Sequence, residues 1–260
     1  MEKFDDKVVI LTREKSYFGG LVLKEAVQQG LKINMVISQE WRFKQKYKRF
    51  KAYSRKYGFA NILSSKLFEI IDVIIQRIIR GKNGCQKIED IAKNHNIPFV
   101  TVPKLNGNKT VEILNCLSPD VLLLGGVGII SPNLIKSVSK GVLNSHPGKL
   151  PEYLGNYVVR WALLNKDPIV ITVHLVDTGI DTGDILSEDL IVNIPKTRSL
   201  HNIESFIENQ RAKSIIKTAQ SFLKKDLIQK PSTVNGDSHL YSVLPLKKSL
   251  SLYWSLNRGK

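Results

Sequence analysis

Alternating apolar runs and amphipathic segments constrain the fold of this chain more than any other feature of its sequence. Residues 7–12 and 32–37 are apolar runs of strand length, and residues 19–30 between them have the spacing of an amphipathic helix. A strand, a helix and a strand in such close succession are typical of a parallel α/β sheet. Further strands are predicted at 99–102, 121–126, 141–145 and 169–176, and further helices from 88 and at 108–116, 132–139 and 158–165. The sequence therefore predicts a doubly wound, mostly parallel sheet that binds its ligand at the carboxyl ends of the strands.

Two segments lie outside this minimal sheet. Residues 41–84 form an insert that begins with aromatic residues on a helical spacing among many lysines and arginines, and continues with an apolar helix at 67–79. The insert is interpreted either as a basic face for a phosphate-bearing partner or a membrane surface, or as a helix that docks its aromatic side chains on the domain. The main domain is predicted to span 1–199 together with this insert. Residues 200–260 are predicted to be a short C-terminal extension that opens with a helix near 203–225.

The charge of the chain narrows the classes of partner without choosing one. Lysine and arginine number 39 against 23 aspartate and glutamate, a formal net charge of +16. Such a surface attracts nucleic acid, anionic lipid or phosphorylated small molecules, but a lysine-rich surface without a partner explains the charge equally well. The sequence has no apolar run long enough to span a bilayer and no signal peptide at its start, and Cys85 and Cys116 form no C-x-x-C pair. A cytoplasmic protein is therefore predicted.

Two polar side chains stand at the end of the strand predicted at 141–145, within the stretch VLNSHPGKLP. Asn144 and His146 are two residues apart, so strand alternation directs both side chains to the same side. Pro147 and Gly148 then end the strand and leave both side chains at an open edge. A carboxamide and an imidazole together supply two hydrogen-bond donors for a developing oxyanion. Alone, the pair is weak evidence, because a histidine at a strand end is more often structural.

The loop DTGIDTGDIL, which follows the strand at 169–176, is the second candidate feature. It holds Asp177, Asp181 and Asp184, each of which could carry a proton or orient an imidazole. Its glycines permit tight turns or a positive φ. A turn that uses an aspartate for local backbone bonds explains one D-T-G step, but it does not explain the combination with the strand-end pair.

In their order along the chain these motifs resemble the 10-formyltetrahydrofolate-dependent formyltransferases. The chain reads NSHPGKLPEYLG, then RWALL, then TVHLVDTGIDTGDIL. The family pattern is N-x-H-P-x-x-L-P-x-Y-x-G, followed by a V-x-H strand and an aspartate seven residues after that histidine; here these are His174 and Asp181. The resemblance runs from about 88 to 190, with weaker agreement over 7–37, and implies a Rossmann-like fold. The catalytic residues that it implies are Asn144, His146 and Asp181.

The resemblance also implies binding residues around the catalytic trio. The segment 121–132 resembles the one whose backbone contacts the pterin ring in the family. The folate-binding residues so implied are Leu124, Gly125, Gly126, Val127, Gly128, Ile129, Ile130, Asp177, Thr178, Gly179 and Ile180. The acceptor-binding residues so implied are Tyr153, Gly155, Asn156 and Arg160.

The chain departs from the family pattern at two places. Leu154 stands where the family usually has an arginine, and Arg160 is considered as its substitute. The doublet Gly125-Gly126 stands where relatives often carry a larger residue, which alters the side-chain contacts available to the pterin. His174 is expected to fix the loop or to border the site rather than to take part in the chemistry.

The implied reaction is attack of a free amine on the formyl carbon of the folate donor. Asn144 and a protonated His146 would hydrogen-bond the oxyanion as its charge builds, and Asp181 would favour the imidazolium and relay a proton. Neither a covalent enzyme intermediate nor a metal is required, and the only cofactor implied is 10-formyltetrahydrofolate.

The resemblance identifies the formyl donor far better than it identifies the amine acceptor. Glycinamide ribonucleotide is disfavoured because LTREKSYFGG replaces the glycine-rich phosphate loop after the first strand. Methionyl-tRNA is disfavoured because the tRNA-directed branch carries a further β-barrel domain, for which the residues after Ser199 are too few. A nucleotide-linked amino sugar is therefore the favoured acceptor, ahead of another small amine and of formyltetrahydrofolate hydrolysis. A lapsed enzyme that binds nucleic acid or membrane is the alternative from another class, and the sequence leaves homo-oligomer formation open.

Overall fold

A computed structural model of the chain describes residues 6–40, 54–55, 58, 87–227, 229–231 and 238–258, which form nine strands and seven helices. The strands are β1 (Val8–Arg13), β2 (Met35–Gln39), β3 (Phe99–Val102), β4 (Val121–Gly125), β5 (Gly141–His146), β6 (Tyr153–Gly155), β7 (Val170–Leu175), β8 (Ile185–Leu190) and β9 (His239–Tyr241). The helices are α1 (Tyr17–Gln28), α2 (Ile88–Asn94), α3 (Asn108–Leu117), α4 (Pro132–Ile135), α5 (Val158–Asn165), α6 (Leu200–Leu223) and α7 (Leu246–Arg258). The insert predicted at 41–84, including its helix at 67–79, lies outside the described residues apart from Ser54, Arg55 and Gly58.

Seven of the strands form one sheet in the order β3-β2-β1-β4-β5-β7-β8. Neighbours from β3 to β5 pair in parallel, whereas β7 pairs antiparallel with both β5 and β8. The chain builds outward from β1 in one direction and then continues from β4 in the other, so the strand order reverses between β1 and β4. Ligands of open α/β sheets bind at the carboxyl ends of the strands near such a reversal. The predicted doubly wound, mostly parallel sheet is confirmed.

The sheet is buried on both faces because its strands are apolar at nearly every position. In β1, Val8 and Ile10 face one core with helices α1, α2 and α6, while Val9 and Leu11 face a second core with α3 and α4. All four side chains are at most 1% exposed.

Side-chain caps and breaks explain where several helices begin and end. The Ser16 hydroxyl accepts from the Gly19 N–H at 3.0 Å and so caps α1. Helix α4 begins at Pro132 as predicted but ends at Ile135 instead of continuing to 139. The Ser137 hydroxyl donates to the Leu134 carbonyl at 2.7 Å, and this local bond competes with a further helical turn.

Helix α6 opens the predicted extension 200–260 and packs into the first core of the sheet. Ala212, Ile215, Ile216 and Ala219 lie in that core and are at most 2% exposed. The extension therefore contributes a helix to the sheet domain itself, and β9 and α7 follow it. Among the described helices, none combines the length and the apolarity that crossing a membrane would require.

Candidate active site

The end of β5 projects from the sheet with one open side. Strand β5 pairs with β4 only as far as Leu143, whereas its pairing with β7 continues to His146. Beyond Leu143 the two parallel strands therefore separate, and an opening forms at the carboxyl edge. Asn144 and His146, the predicted pair, both lie on this overhang.

Asn144 is tied to the neighbouring strand through His174, the residue directly opposite it in the β5–β7 register. The His174 Nδ1 atom lies 2.8 Å from the carbonyl oxygen of Leu175, and since a carbonyl only accepts, Nδ1 carries the proton. The Nε2 atom of neutral His174 is then an acceptor, and the Asn144 amide donates to it at 3.2 Å. This contact orients the carboxamide and leaves its second N–H for a ligand.

His146 is 4% exposed and has both ring nitrogens in contact with protein. Its Nε2 donates to the Tyr153 carbonyl at 2.6 Å, and its Nδ1 lies 3.5 Å from the Asp181 carboxylate. Burial lowers the pKa of His146 to about 4, although the Asp181 carboxylate acts to raise it. The expectation of a protonated His146 is therefore wrong for this conformation: desolvation outweighs the attraction of the carboxylate, and the ring is neutral at pH 7.

Asp181 lies between the two histidines. Its carboxylate is 3.5 Å from His146 Nδ1 and 3.6 Å from His174 Nε2, and it accepts a hydrogen bond from the Gly155 N–H at 3.0 Å. Its backbone has a φ of 55°, in the left-handed region that aspartate tolerates better than most residues. The side chain of Asp181 is 15% exposed, so water or a ligand can reach it.

The other aspartates of the same loop do different work. The Asp177 carboxylate accepts from the Gly179 N–H at 2.9 Å and from the Thr182 hydroxyl at 2.8 Å, the local turn that one D-T-G step was expected to make. Asp184 is exposed. Of the three candidates, only Asp181 meets the strand-end pair.

Backbone groups of β6 contact His146 and Asp181, and the pairing with β9 holds β6 in place. The two strands pair in parallel, with Gly155 opposite Tyr241. The Tyr153 and Tyr241 rings stack with their centroids 4.7 Å apart. Gly155 has a φ of 94°, and a Cβ atom there would lie 2.5 Å from the Tyr241 carbonyl oxygen. Glycine is therefore required at this position both by the backbone conformation and by the close approach of β9.

The predicted folate loop, 124–130, is held from outside by three polar side chains. The hydroxyls of Thr12 and Ser16 both donate to the Gly125 carbonyl at 2.8 Å. The Asn106 amide donates to the Ile129 carbonyl at 2.9 Å and its oxygen accepts from the Ser131 N–H at 3.0 Å. Sequence reasoning missed these contacts because they join residues far apart in the chain. They leave Ile129 73% exposed at the edge of the sheet where the β5 overhang lies.

The predicted acceptor residues are used unevenly. The N–H of Gly155 donates to the Asp181 carboxylate, and Asn156 is exposed. The Tyr153 hydroxyl donates to the Asp167 carboxylate, so its side chain is directed away from the trio. The Arg160 side chain is buried, and its guanidinium donates to both oxygens of Glu204, at 2.6 and 3.1 Å. These contacts give Arg160 a structural role rather than that of a substitute for the arginine that Leu154 replaces.

Comparison with known proteins gives one family and two groups of relatives. The model of the formyl transferase family matches residues 6–219. Methionyl-tRNA formyltransferase of Clostridium perfringens is 26% identical over 182 residues, which are 68% of this chain and 58% of that protein. The chain thus spans little more than half the length of this relative.

Solved structures share the fold at low sequence identity. Glycinamide ribonucleotide transformylase 1 from Symbiobacterium toebii superposes with a TM-score of 0.60 at 14% identity, over 89% of this chain and 93% of that one. An N-formyltransferase from Helicobacter canadensis, solved with folinic acid and dTDP-3-aminofucose, gives a TM-score of 0.58 at 16% identity, over 91% of this chain and 71% of that one.

Proposed function

Because the chain belongs to the formyl transferase family, we propose that it moves a formyl group from 10-formyltetrahydrofolate to a primary amine. The convergence of Asn144, His146 and Asp181 on the β5 overhang carries this proposal. An amide donor, an imidazole and a carboxylate gathered at one opening suit the attack of an amine on a carbonyl. The folate loop at the edge of the same opening would hold the donor, and its exposed Ile129 is an apolar contact for the pterin ring.

The oxyanion of the tetrahedral intermediate would be held by two donors. The free N–H of the Asn144 amide is one, since the other is directed at His174. The Nε2–H of His146 is the second, once the formyl oxygen displaces the Tyr153 carbonyl that now accepts from it. Because Nε2–H donates from a neutral ring, this role does not depend on a protonated His146. Each donor of this kind contributes on the order of 3 kcal/mol to transition-state stabilisation.

Asp181 would take the proton that the attacking nitrogen loses. The unprotonated Nδ1 of neutral His146 faces the carboxylate at 3.5 Å, so a proton on either group is shared with the other. Collapse of the intermediate breaks the bond between the formyl carbon and N10 of the folate, and the proton passes to that nitrogen. The new carbon–nitrogen bond to the acceptor remains, and tetrahydrofolate is released.

The acceptor we propose is the amino group of a nucleotide-linked amino sugar. The net charge of +16 suits an acceptor that carries a diphosphate. Arg13 is the last residue of β1 and Lys15 follows it, at the edge where parallel strands bind ligands and in place of the glycine-rich phosphate loop. The fold neighbour from Helicobacter canadensis, solved with a dTDP-linked aminosugar, gives a precedent for this acceptor class on the same fold.

Methionyl-tRNA is the second candidate acceptor. The sequence similarity to methionyl-tRNA formyltransferases over 68% of the chain favours it, and the basic charge suits it as well. The first measurement is therefore tetrahydrofolate release from 10-formyltetrahydrofolate in the presence of nucleotide-linked 3-amino and 4-amino sugars, glycinamide ribonucleotide, methionyl-tRNA or no acceptor.

Fast release with one amino sugar would support both the donor and the acceptor. Release with methionyl-tRNA alone would replace the acceptor and keep the reaction. Release that needs no acceptor would indicate a hydrolase. A chain that releases no tetrahydrofolate under any condition, and binds RNA or anionic vesicles in a salt-sensitive manner, would overturn the proposed reaction.

A further inference from the structure

Arg211 lies beneath the candidate active site, on a helix that no sequence motif connects with it. It belongs to α6, and its side chain is 13% exposed. Its Nε and Nη2 atoms both donate to the carbonyl oxygen of Ser145, with Nε at 3.0 Å. Ser145 is the residue between Asn144 and His146, so the guanidinium holds the peptide from which both candidate side chains project.

The position of this contact follows from the separation of β4 and β5. Their pairing stops at Leu143, so β4 offers no partner to the Ser145 carbonyl, which lies two residues further along. A buried carbonyl without a partner costs free energy comparable to a lost hydrogen bond. The Arg211 fork supplies that partner from α6, and so the overhang of β5 stays extended without the neighbouring strand.

Arg211 is itself held on two sides. Its Nη1 atom donates to both carboxylate oxygens of Glu208, at 2.7 and 2.8 Å, one turn earlier on α6. The guanidinium carbon lies 4.1 Å from the centroid of the Phe18 ring on α1, and Phe18 is 6% exposed. A planar fork that is paired, stacked and doubly bonded to one carbonyl has little freedom, and lysine cannot reproduce this combination.

We propose that Arg211 is a positioning residue of the active site: its guanidinium, anchored by Glu208 and Phe18, fixes the Ser145 peptide so that Asn144 and His146 address the same formyl oxygen. This inference rests on the proposed formyl transfer for its kinetic part. Reacting groups tolerate little displacement, and a shift of about 1 Å can cost on the order of a hundredfold in rate.

The charge of Arg211 gives a second, independent readout. The charged and titratable groups that face His146 are Asp181 from the loop after β7, His174 from β7 and Arg211 from α6, and the Tyr153 carbonyl of β6 accepts from its ring. Arg211 acts to lower the pKa of His146, as burial does. Removing its charge should therefore raise the pKa of His146, whether or not the enzyme turns over.

The test compares Arg211→Gln, Arg211→Lys and, as the control, Lys213→Gln, which removes one positive charge from an exposed position on the same helix. Three quantities are measured on folded protein: kcat for formyl transfer, the Kd for 5-formyltetrahydrofolate, and the pKa of His146 by NMR titration of its ring protons. Arg211→Gln is expected to lower kcat on the order of a hundredfold, to leave that Kd unchanged and to raise the pKa of His146. Arg211→Lys keeps the positive charge but loses the planar fork, so its kcat should lie between those of Arg211→Gln and the wild type while the pKa of His146 stays near its wild-type value. Lys213→Gln should match the wild type.

Several outcomes would overturn the role of Arg211. These are a wild-type kcat in Arg211→Gln, a loss of kcat matched by an equal loss of folate affinity, or a His146 titration that does not move. If the wild-type chain transfers no formyl group to any acceptor, the proposed function fails, and the NMR titration still decides whether Arg211 acts on His146. If Arg211→Gln does not fold, Arg211→Lys tests the positioning role through kcat alone, because it removes the planar fork that holds the Ser145 carbonyl but keeps the positive charge.

Discussion

The backbone N–H of Gly155 donates a hydrogen bond to the carboxylate of Asp181 at 3.0 Å, although the two residues are 26 positions apart in the chain. This bond joins the strand β6 to the loop that follows β7. It leaves the second carboxylate oxygen facing His174 at 3.6 Å, while the first also faces His146. These contacts fix the orientation of the Asp181 side chain, which suits the proton transfer proposed for it.

Asp181→Asn should abolish most of the activity without unfolding the chain. Asparagine keeps an oxygen for the Gly155 N–H and tolerates the positive φ of this position, but it cannot take a proton. We expect kcat to fall roughly 10²- to 10⁴-fold with the melting temperature nearly unchanged. Asp184→Asn, on the same loop and exposed, is the matched control and should keep wild-type kcat. Equal activity of the two variants would remove Asp181 from the mechanism.

The buried His146 should make the chain less stable in acid. Its pKa falls from 6.5 to about 4 on folding, so the unfolded chain takes up the proton first. The stabilisation is complete above pH 6.5 and is lost as the pH falls toward 4. Burial lowers the pKa of His174 as well, which adds to the same slope.

The measurement is the free energy of unfolding by urea at several pH values. His146→Gln should flatten the decline between pH 6.5 and 4, by roughly 3 kcal/mol at its largest. His95→Gln, which replaces an exposed imidazole, is the control and should keep the wild-type slope. A variant at 146 that retains the full decline would show that His146 is not the group responsible.

Gly155→Ala should destabilise the support of the active site. The added methyl would lie 2.5 Å from the Tyr241 carbonyl oxygen at a backbone φ of 94°, so both the backbone and β9 must move. We expect a loss of roughly 1–3 kcal/mol in unfolding free energy, together with lower activity. Gly20→Ala is the matched control, since a Cβ at this position of α1 meets nothing within 4 Å; it should stabilise the chain by up to about 1 kcal/mol.

Asn106→Ala should weaken folate binding. The Asn106 side chain makes two hydrogen bonds at the end of the loop 124–130. Its amide donates to the Ile129 carbonyl, and its oxygen accepts from the N–H of Ser131, directly after the loop. Without them the loop loses its fixed shape, and we expect the Kd for 5-formyltetrahydrofolate to rise roughly tenfold. Isothermal titration with that ligand measures the change. Asn115→Ala, an exposed position on α3, should bind like the wild type, and equal affinities of both variants would contradict a role of this loop in folate binding.

Arg160→Gln separates the two roles considered for Arg160. Because its guanidinium is buried and paired with Glu204, the substitution leaves a partly buried carboxylate without its partner. We expect a loss of roughly 2 kcal/mol in unfolding free energy, with the KM for the acceptor unchanged in the folded protein. A raised KM at unchanged stability would restore Arg160 as the replacement for the arginine absent at Leu154.

The sheet could be predicted closely because its strands are short, apolar on both faces and separated by amphipathic helices. The strand predicted at 99–102 and the helix at 158–165 coincide with β3 and α5. The pairing of Asn144 with His146 was predictable from alternation along one strand. Asp181 was identified through the spacing of a family motif, because the loop contains three aspartates and its sequence alone does not show which of them meets the strand-end pair.

The contacts that support and surround the site could not be predicted from local sequence patterns. Arg160 lies on a short helix, and only the packing of α6 against that helix determines that it meets Glu204. His146 was expected to be protonated because its carboxylate neighbour could be foreseen, whereas the depth of its burial could not. Arg211 and Asn106 act across long stretches of chain, and neither lies in a motif.

The pairing of β6 with β9 has a consequence for the order in which the protein matures. Residues 239–241 leave the ribosome long after the β5 overhang, yet they hold the strand whose N–H orients Asp181. Contacts between such distant segments form late, because a long loop must close before they are made. A nascent chain can thus complete its seven-stranded sheet before residues 239–241 are made, and the strand that orients Asp181 is secured only afterwards.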